Sequence, residues 1–456
     1  MAHRFKNIDR NTPMLLPPDL RDWVAEDDMV HFVIEAVDRL PLSCFHVNHK
    51  GTGDQQLPPH MMLALLIYCY ANGVFSSRRI ERATYRDVAV RYLTGDTHPD
   101  HDTICSFRRK NFEAVSQAFV DVLELAKELK ILKLGTLSID GTHIKANASK
   151  DKNVTYERAQ ELREQLRLDI NELMDQAEKA DQSDEDTQKL PDEIKRREKL
   201  LAKMDKACAG LEERARLRAL KEKEHYERKM TERDKREGSR KGPKPKAPDE
   251  SPQPEEQINL TDGDARLMRK NKREGYTESY NAQAAVDADG SQLIVGQHVS
   301  TCASDANELE PGIQSVPERV GSPASVLADC GYANKNAMEK IGAEYPELDL
   351  YVSVHREDAH SERRYEYRPP EKITPPKKVT DPTLVAMAEK LRTPEGKAKY
   401  RKRACSVETA FGIIKQAMGF RQFLLRGLEK VSGEWELVSL AYNLKLMHGQ
   451  KQRMSV

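Results

Sequence analysis

The chain lacks any pair of cysteines spaced for metal or redox chemistry. Its seven cysteines stand singly, and no CxxC occurs, which excludes a zinc ribbon and a thioredoxin-type motif. The odd count and the absence of an apolar signal-like stretch near residue 1 are what a reducing cytoplasm leads one to expect. Long apolar runs are also missing. The longest, MMLALLIYCY at 61–70, is too short to cross a bilayer and reads as a buried helix. Trp23 and Trp435 are the only tryptophans, and both read as core rather than base-stacking groups. Net charge is absent as well, with 74 basic residues against 74 acidic. A nucleic-acid partner would have to be met by local patches.

What the chain has in quantity is charge of both signs. Charged residues make up 32% of it, more than one compact domain uses, so an extended charged element is expected. Residues 1–130 read as an all-helical N-terminal domain. DDMVHFVIEAVDRL (27–40) has apolar residues at helical spacing. SSRRIERATYRDVAVRYL (76–93) starts on serine caps, and 98–129 reads as one long helix opened by Asp and Thr. With the turn at 94–100, Arg108 and Arg109 could contact DNA in the manner of a helix-turn-helix. A plain bundle with solvated basic residues is the alternative. HPDHD (98–102) reads as a loop and cap rather than a metal site.

Residues 155–237 read as a charged helical hairpin. Ile194, Leu201, Met204, Cys208, Leu211 and Ala215 recur at threes and fours, a heptad seam, and a similar stripe begins at Leu162. The turn is expected at 181–193 with Pro191. From Arg214 to Lys246 there are 14 basic and 6 acidic residues, net +8. Residues 238–257 read as a disordered linker. Strands frame this insertion. LGTLSIDG (134–141) precedes it; after it, two runs within 279–300 are joined by Asp289-Gly290, a hairpin signal. SVLADCGY (325–332) and LDLYVSV (348–354) follow. Asp305 is expected to cap a short helix, 334–343 to be helical, 355–398 to be loop, and 405–420 and 434–447 to be helices. The order fits an RNase H-like mixed sheet, a catalytic domain of 131–154 and 258–448.

Asp140 and Asp329 both end apolar strands and have glycine close behind, so the chain is expected to turn away sharply there. Sites in mixed α/β sheets lie beyond strand carboxyl ends. Two carboxylates there repel and resist desolvation, and a divalent cation relieves both. Glu408, in the first turn of CSVETAFGIIK, is the third candidate. Lys415 lies two turns further on, where it could meet a phosphate. His143 reads as a neighbour of this group. DARLMRKNKREGY (264–276) could track DNA phosphates.

Three segments carry a resemblance. SIDGTHIKANASK, VLADCGYANKNAMEKI and YRKRACSVETAFGIIKQAMGFRQFLLRG resemble the first-Asp, second-Asp and Glu motifs of bacterial insertion-sequence DDE transposases, of the IS4/IS5-like group and closest to the IS1182 family. The N-terminal helices resemble theirs too. Tyr400, Arg403, Glu408 and Lys415 match the last signature in order. Four residues rather than three separate Arg403 from Glu408, and Arg401 is a rival for its role. The resemblance implies that Asp140, Asp329 and Glu408 hold two Mg²⁺ ions, with Mn²⁺ able to substitute. It implies cleavage of the element ends by hydrolysis, then joining of 3′-OH ends to target DNA by transesterification. It implies that Tyr400, Arg401 and Arg403 contact DNA, and that partners are the terminal inverted repeats, target DNA and a second copy at synapsis, with no membrane. A nuclease that cuts without joining, or a non-catalytic DNA-binding scaffold, are the alternatives.

Overall fold

A computed structural model describes residues 19–47, 56–181, 190–234, 245–269, 275–354 and 379–454. The N-terminal part is helical: α1 (Met29–Asp38), α2 (Pro59–Ala71), α3 (Ser77–Arg86), α4 (Val88–Leu93), α5 (His101–Lys110) and α6 (Phe112–Glu128). Asp28 caps α1 through the Val30 amide and Asp100 caps α5 through Asp102 and Thr103. The expected long helices are each broken once. Asp87 takes an extended conformation and caps α4 through Val90. Asn111 interrupts 98–129 because its side chain serves a distant partner, accepting from the His46 amide at 2.8 Å. Ser76 stands at the start of α3 but makes no cap hydrogen bond. Trp23 is 42% exposed in a short turn ahead of α1, so it is not a core residue, whereas Trp435 is fully buried.

The sheet begins with β1 (Thr136–Lys145). A second, two-stranded sheet of β2 (Asn153–Thr155) and β3 (Gln257–Asn259) closes the neck of the insertion. Between them run α7 (Tyr156–Asp181) and α8 (Leu190–Asp234). These helices are antiparallel: Tyr156 bonds Glu212, while further along Arg197 meets Asp169. Met204, Cys208, Leu211 and Ala215 of the heptad pattern are buried. Pro191 does not make the turn. It sits in the first turn of α8, where a missing N–H costs nothing.

The stretch read as a linker differs from that expectation where it is described. Arg218 donates to the Ser251 carbonyl, and the amides of Tyr156 and Glu157 donate to the carbonyls of Glu256 and Pro254. Residues 235–244 of the expected hairpin end and linker lie outside the described residues.

The main sheet continues with β4 (Arg266–Met268), β5 (Thr277–Asp287) and β6 (Ile294–Ser300), then α9 (Leu309–Gln314), β7 (Ser325–Ala328), α10 (Lys335–Glu344) and β8 (Asp349–Val352). Its order is β4-β5-β1-β7-β8, with β6 also on β5. β1 runs antiparallel to β5 and parallel to β7, and β7 is parallel to β8. β5 and β6 form the hairpin expected at Asp289-Gly290, where Gly290 has φ 122°. Gly141 does not end a strand: β1 runs through it to Lys145.

Helices α11 (Pro382–Arg392) and α12 (Pro394–Arg401) stand where a loop was expected. Their prolines start helices rather than break them, behind the caps Asp381 and Thr393. Residues 355–378 lie outside the described residues. Then come α13 (Val407–Gly412), a π-helical turn Ile413–Ala417, and α14 (Leu428–Met454). α14 joins the two halves. Trp435, Val438, Tyr442 and Leu444 are buried on several of its sides, and Asn443 both accepts from the Ile294 amide and donates to its carbonyl. One contiguous core therefore runs from α2 through α14 into the sheet, each large side chain contributing about 1.5–3 kcal/mol.

Candidate active site

Asp140 leaves β1 directly opposite Ala284 of β5. Asp329 is the first residue past β7, and Glu408 lies in the first turn of α13. These three elements bring their carboxylates to one side chain, Arg403. Its guanidinium is 3.0 Å from Asp140 Oδ2, 3.9 Å from Asp329 Oδ2 and 3.6 Å from Glu408 Oε1. Arg403 is 7% exposed. The acids grade outward, with side-chain exposures of 18% for Asp140, 37% for Asp329 and 59% for Glu408.

Local structure explains why Arg403 and not Arg401 is the arginine among the acids. Lys402–Cys405 form a separate 3₁₀ turn, and Ser406 donates to the Arg403 carbonyl through both its amide and its hydroxyl. That turn lies directly ahead of α13. Arg401 is exposed at the end of α12. Tyr400, beside it, is half-buried. Lys415, in the π-helical turn, donates to the Thr142 hydroxyl and to the His143 carbonyl, the latter at 3.4 Å. His143 Nε2 faces the Ala303 carbonyl at 3.3 Å, so it borders the acids rather than joining them.

Sequence reasoning missed the floor of this site. Asp305 does not cap a helix; Glu308 stands at the start of α9 instead. Asp305 Oδ1 accepts from Asn281 Nδ2 at 2.8 Å and Gln283 Nε2 at 2.7 Å. Tyr332 donates its hydroxyl to Gln283. The available signal was the pair Asn281 and Gln283, two amides on one face of β5. Gly141 is paired with Gln283 across the ladder. A Cβ on Gly141 would lie 2.6 Å from Asp305 Oδ1 and 2.7 Å from Asn281 Oδ1. The glycine is there for this close approach, not for a turn. Gly331 has the same role, since a Cβ there would stand 2.9 Å from Asp329 Oδ1.

Burial pushes the Asp140 carboxyl up to about 7; Arg403 pulls it down, and the charges of Asp329 and Asp305 push it up again. One guanidinium facing three carboxylates leaves a site short of positive charge.

Arg108 departs from the DNA-contact expectation. It is 5% exposed and donates to the Tyr70 hydroxyl at 2.7 Å and the Phe75 carbonyl at 3.1 Å, with Glu434 3.9 Å away. Arg109 is exposed. In the basic segment 264–276, residues 270–274 lie outside the described residues.

Residues 18–110 match the transposase domain family (DUF772), and residues 363–448 match a transposase DDE domain. The DDE match spans Tyr400, Arg403, Glu408 and Lys415, while Asp140 and Asp329 fall outside both matched segments. No curated protein and no solved structure matches the chain. Among the described residues, no helix is long and apolar enough to cross a membrane.

Proposed function

We propose that the chain is an insertion-sequence DDE transposase with an RNase H-like catalytic domain, of the IS4/IS5-like group and nearest the IS1182 family. The observation that carries this reading is the convergence of Asp140, Asp329 and Glu408, from two strands and a helix, on Arg403. The transposase domain matches and the strand order β4-β5-β1-β7-β8 support it.

Among the described residues no three His, Cys, Asp or Glu side chains close around one point as a metal-holding group. The three acids close around a guanidinium instead. In kind the donors suit Mg²⁺ or Mn²⁺: they are carboxylate oxygens, and burial, with the charges of Asp329 and Asp305 added, raises the Asp140 carboxyl to about 7, which a cation would counter. Asp140, Asp329 and Glu408 would hold the divalent cations, which when bound supply charge stabilisation to the attacking and leaving oxygens. Asp140 is seated by its neighbours, with Gly141 and the Asn281–Gln283–Asp305 set behind it. Glu408 lies outermost, on the side from which DNA would come. Arg403, once relieved of the acids, would contact a backbone phosphate, with Arg401, Tyr400 and Lys415 near it and Arg109 on the N-terminal helices. Partners in this reading are the element ends, target DNA and a second copy of the chain at synapsis.

The test is strand transfer from pre-cleaved element-end DNA in the presence of Mg²⁺. Joined products are expected. Cleavage of intact ends without joining would leave a nuclease in its place.

A further inference from the structure

The charged insertion forms a second basic surface. Lys203, Lys206, Arg214 and Lys221 of α8 line one side of a groove of about 1070 Å³, and Arg266 and Arg426 line the other. The α8 wall is anchored, because Met204, Cys208 and Leu211 are buried in a small core with Ile258 of β3. At the floor two guanidiniums are drawn together. Arg214 and Arg266 both donate to the Gly263 carbonyl. Arg214 also donates to the Gln257 carbonyl at 3.1 Å, and Arg266 to the Asp264 carbonyl at 2.8 Å.

Among the described residues neither makes an ion pair with a carboxylate, whereas Arg218 beside them pairs with Glu256. Four acids also line the groove, Glu213, Glu222, Asp262 and Asp264, against seven basic residues; Asp262 accepts from the Tyr280 hydroxyl and the Gly427 amide, Asp264 from the Leu428 amide, and Glu213 pairs with Arg216. Burial, and then the charge of Arg266, pulls Arg214 down to about 10. Neighbouring half-buried guanidiniums open to a groove are stabilised by an anion that bridges them, and planar forks suit phosphate oxygens.

Two segments of chain lead from the groove to the acids. Thr301 lines it, and the next residues lead to the site: Asn281 holds the Cys302 carbonyl, His143 faces Ala303, and Asp305 lies behind Asp140. On the other side Arg426 donates to the carbonyl of Asn147, seven residues after Asp140. At ~3.3 Å per residue the groove is at most about 23 Å from the acids, a distance covered by roughly seven base-pair steps of duplex.

We propose that this groove carries the sugar–phosphate backbone of DNA leading away from the acid site, with α8 as its outer wall. The proposal rests on the transposase reading and extends it to a specific job for the insertion.

The test is fluorescence anisotropy of the full chain with a labelled random-sequence DNA duplex over a range of salt. The variant is Lys203→Gln/Lys206→Gln/Lys221→Gln; all three lysines are exposed, so the fold is preserved. Arg158→Gln/Arg167→Gln/Lys179→Gln, on α7 outside the groove, removes equal charge. The groove variant is expected to bind more weakly, with the slope of log K against log salt shallower by about 0.9 for each phosphate that is no longer neutralised. The α7 variant is expected to retain the wild-type slope. Equal weakening in both variants, or none in the groove variant while wild type binds, would overturn the groove. If wild type does not bind duplex at all, the transposase reading falls with it.

Discussion

Among the described residues two arginines are buried, Arg108 and Arg403, and each faces carboxylates. Arg108 meets one carboxylate, Glu434, which is fully buried and also accepts from Tyr70 and from the amides of Leu424 and Leu425. Charge balances there, and the partners come from packed helices, the α2–α3 loop at Phe75 and the segment that leads into α14. Arg403 meets three carboxylates. Charge does not balance, and the acids become more exposed from Asp140 to Glu408. The first arrangement is closed and charge-balanced, the expected state of a buried ion pair kept for structure. The second has room and reason for more positive charge. Burial alone does not separate a structural arginine from one at a reactive site; the count of opposing charges does.

The comparison can be broken most sharply at the acids. Asp140→Asn and Glu408→Gln should lower DNA strand cleavage by about a thousandfold or more, since bound cations supply several kcal/mol of charge stabilisation. The fold should remain, read by circular dichroism. Full activity in either variant would remove the acids from the chemistry.

Next in size is Arg108→Met. It strands Glu434 as an unpaired buried acid and should cost about 3–5 kcal/mol in urea unfolding, with no recovery on adding Mg²⁺. Arg403→Gln should cost less, about 1–3 kcal/mol in metal-free buffer. Here Mg²⁺ should restore the stability, and calorimetric titration should show tighter cation binding than in wild type. Failure of Mg²⁺ to rescue would make the two arginines alike and would count against a cation site.

The smallest effect concerns pH. Asp140 holds its proton up to about 7 in the folded chain, against 3.8 for an ordinary aspartate. The folded state thus binds this proton more tightly than the unfolded one. The stability it contributes is full below the ordinary value and is lost as pH rises through about 7. Burial raises the Glu434 carboxyl too, so that pair gives a dependence of the same sign. Asp140→Asn should flatten only the Asp140 part of the curve, and metal affinity of wild type should rise over the same interval. An unchanged pH–stability curve in the Asn variant would show that Asp140 is not so perturbed.

Much of the local structure is legible in the chain. The all-apolar run in α2, the Asp289-Gly290 hairpin and the helical character of the insertion follow from periodicity and turn chemistry that act over a few residues. Asp329 and Glu408 can be named because strand and helix ends are local features, and Asp140 because it closes an apolar run, although β1 continues past it to Lys145. Where local signals are ambiguous, expectation and structure part. Pro382 and Pro394 suggest loop, although Asp381 and Thr393 before them are good caps. Gly141 suggests a turn, although its cause lies across the sheet, in Gln283 and Asp305. The floor of the site is invisible for the same reason, since Asn281 and Asp305 meet only after β5 and β6 have paired.

The sequence by itself determined much of the strand and helix pattern and where Asp140, Asp329 and Glu408 fall on it, because hydrophobic period, caps and turns are set by near neighbours. It could not determine the fates of its arginines. Arg108 and Arg403 stand in similar polar helical surroundings along the chain. Arg108 suggests a DNA-facing residue, yet it is committed to Tyr70, Phe75 and Glu434. Arg403 is set among acids drawn from positions 140, 329 and 408. Only tertiary structure decided this, because the energy of a buried charge depends on which opposite charges and dipoles the fold carries to within a few ångströms of it.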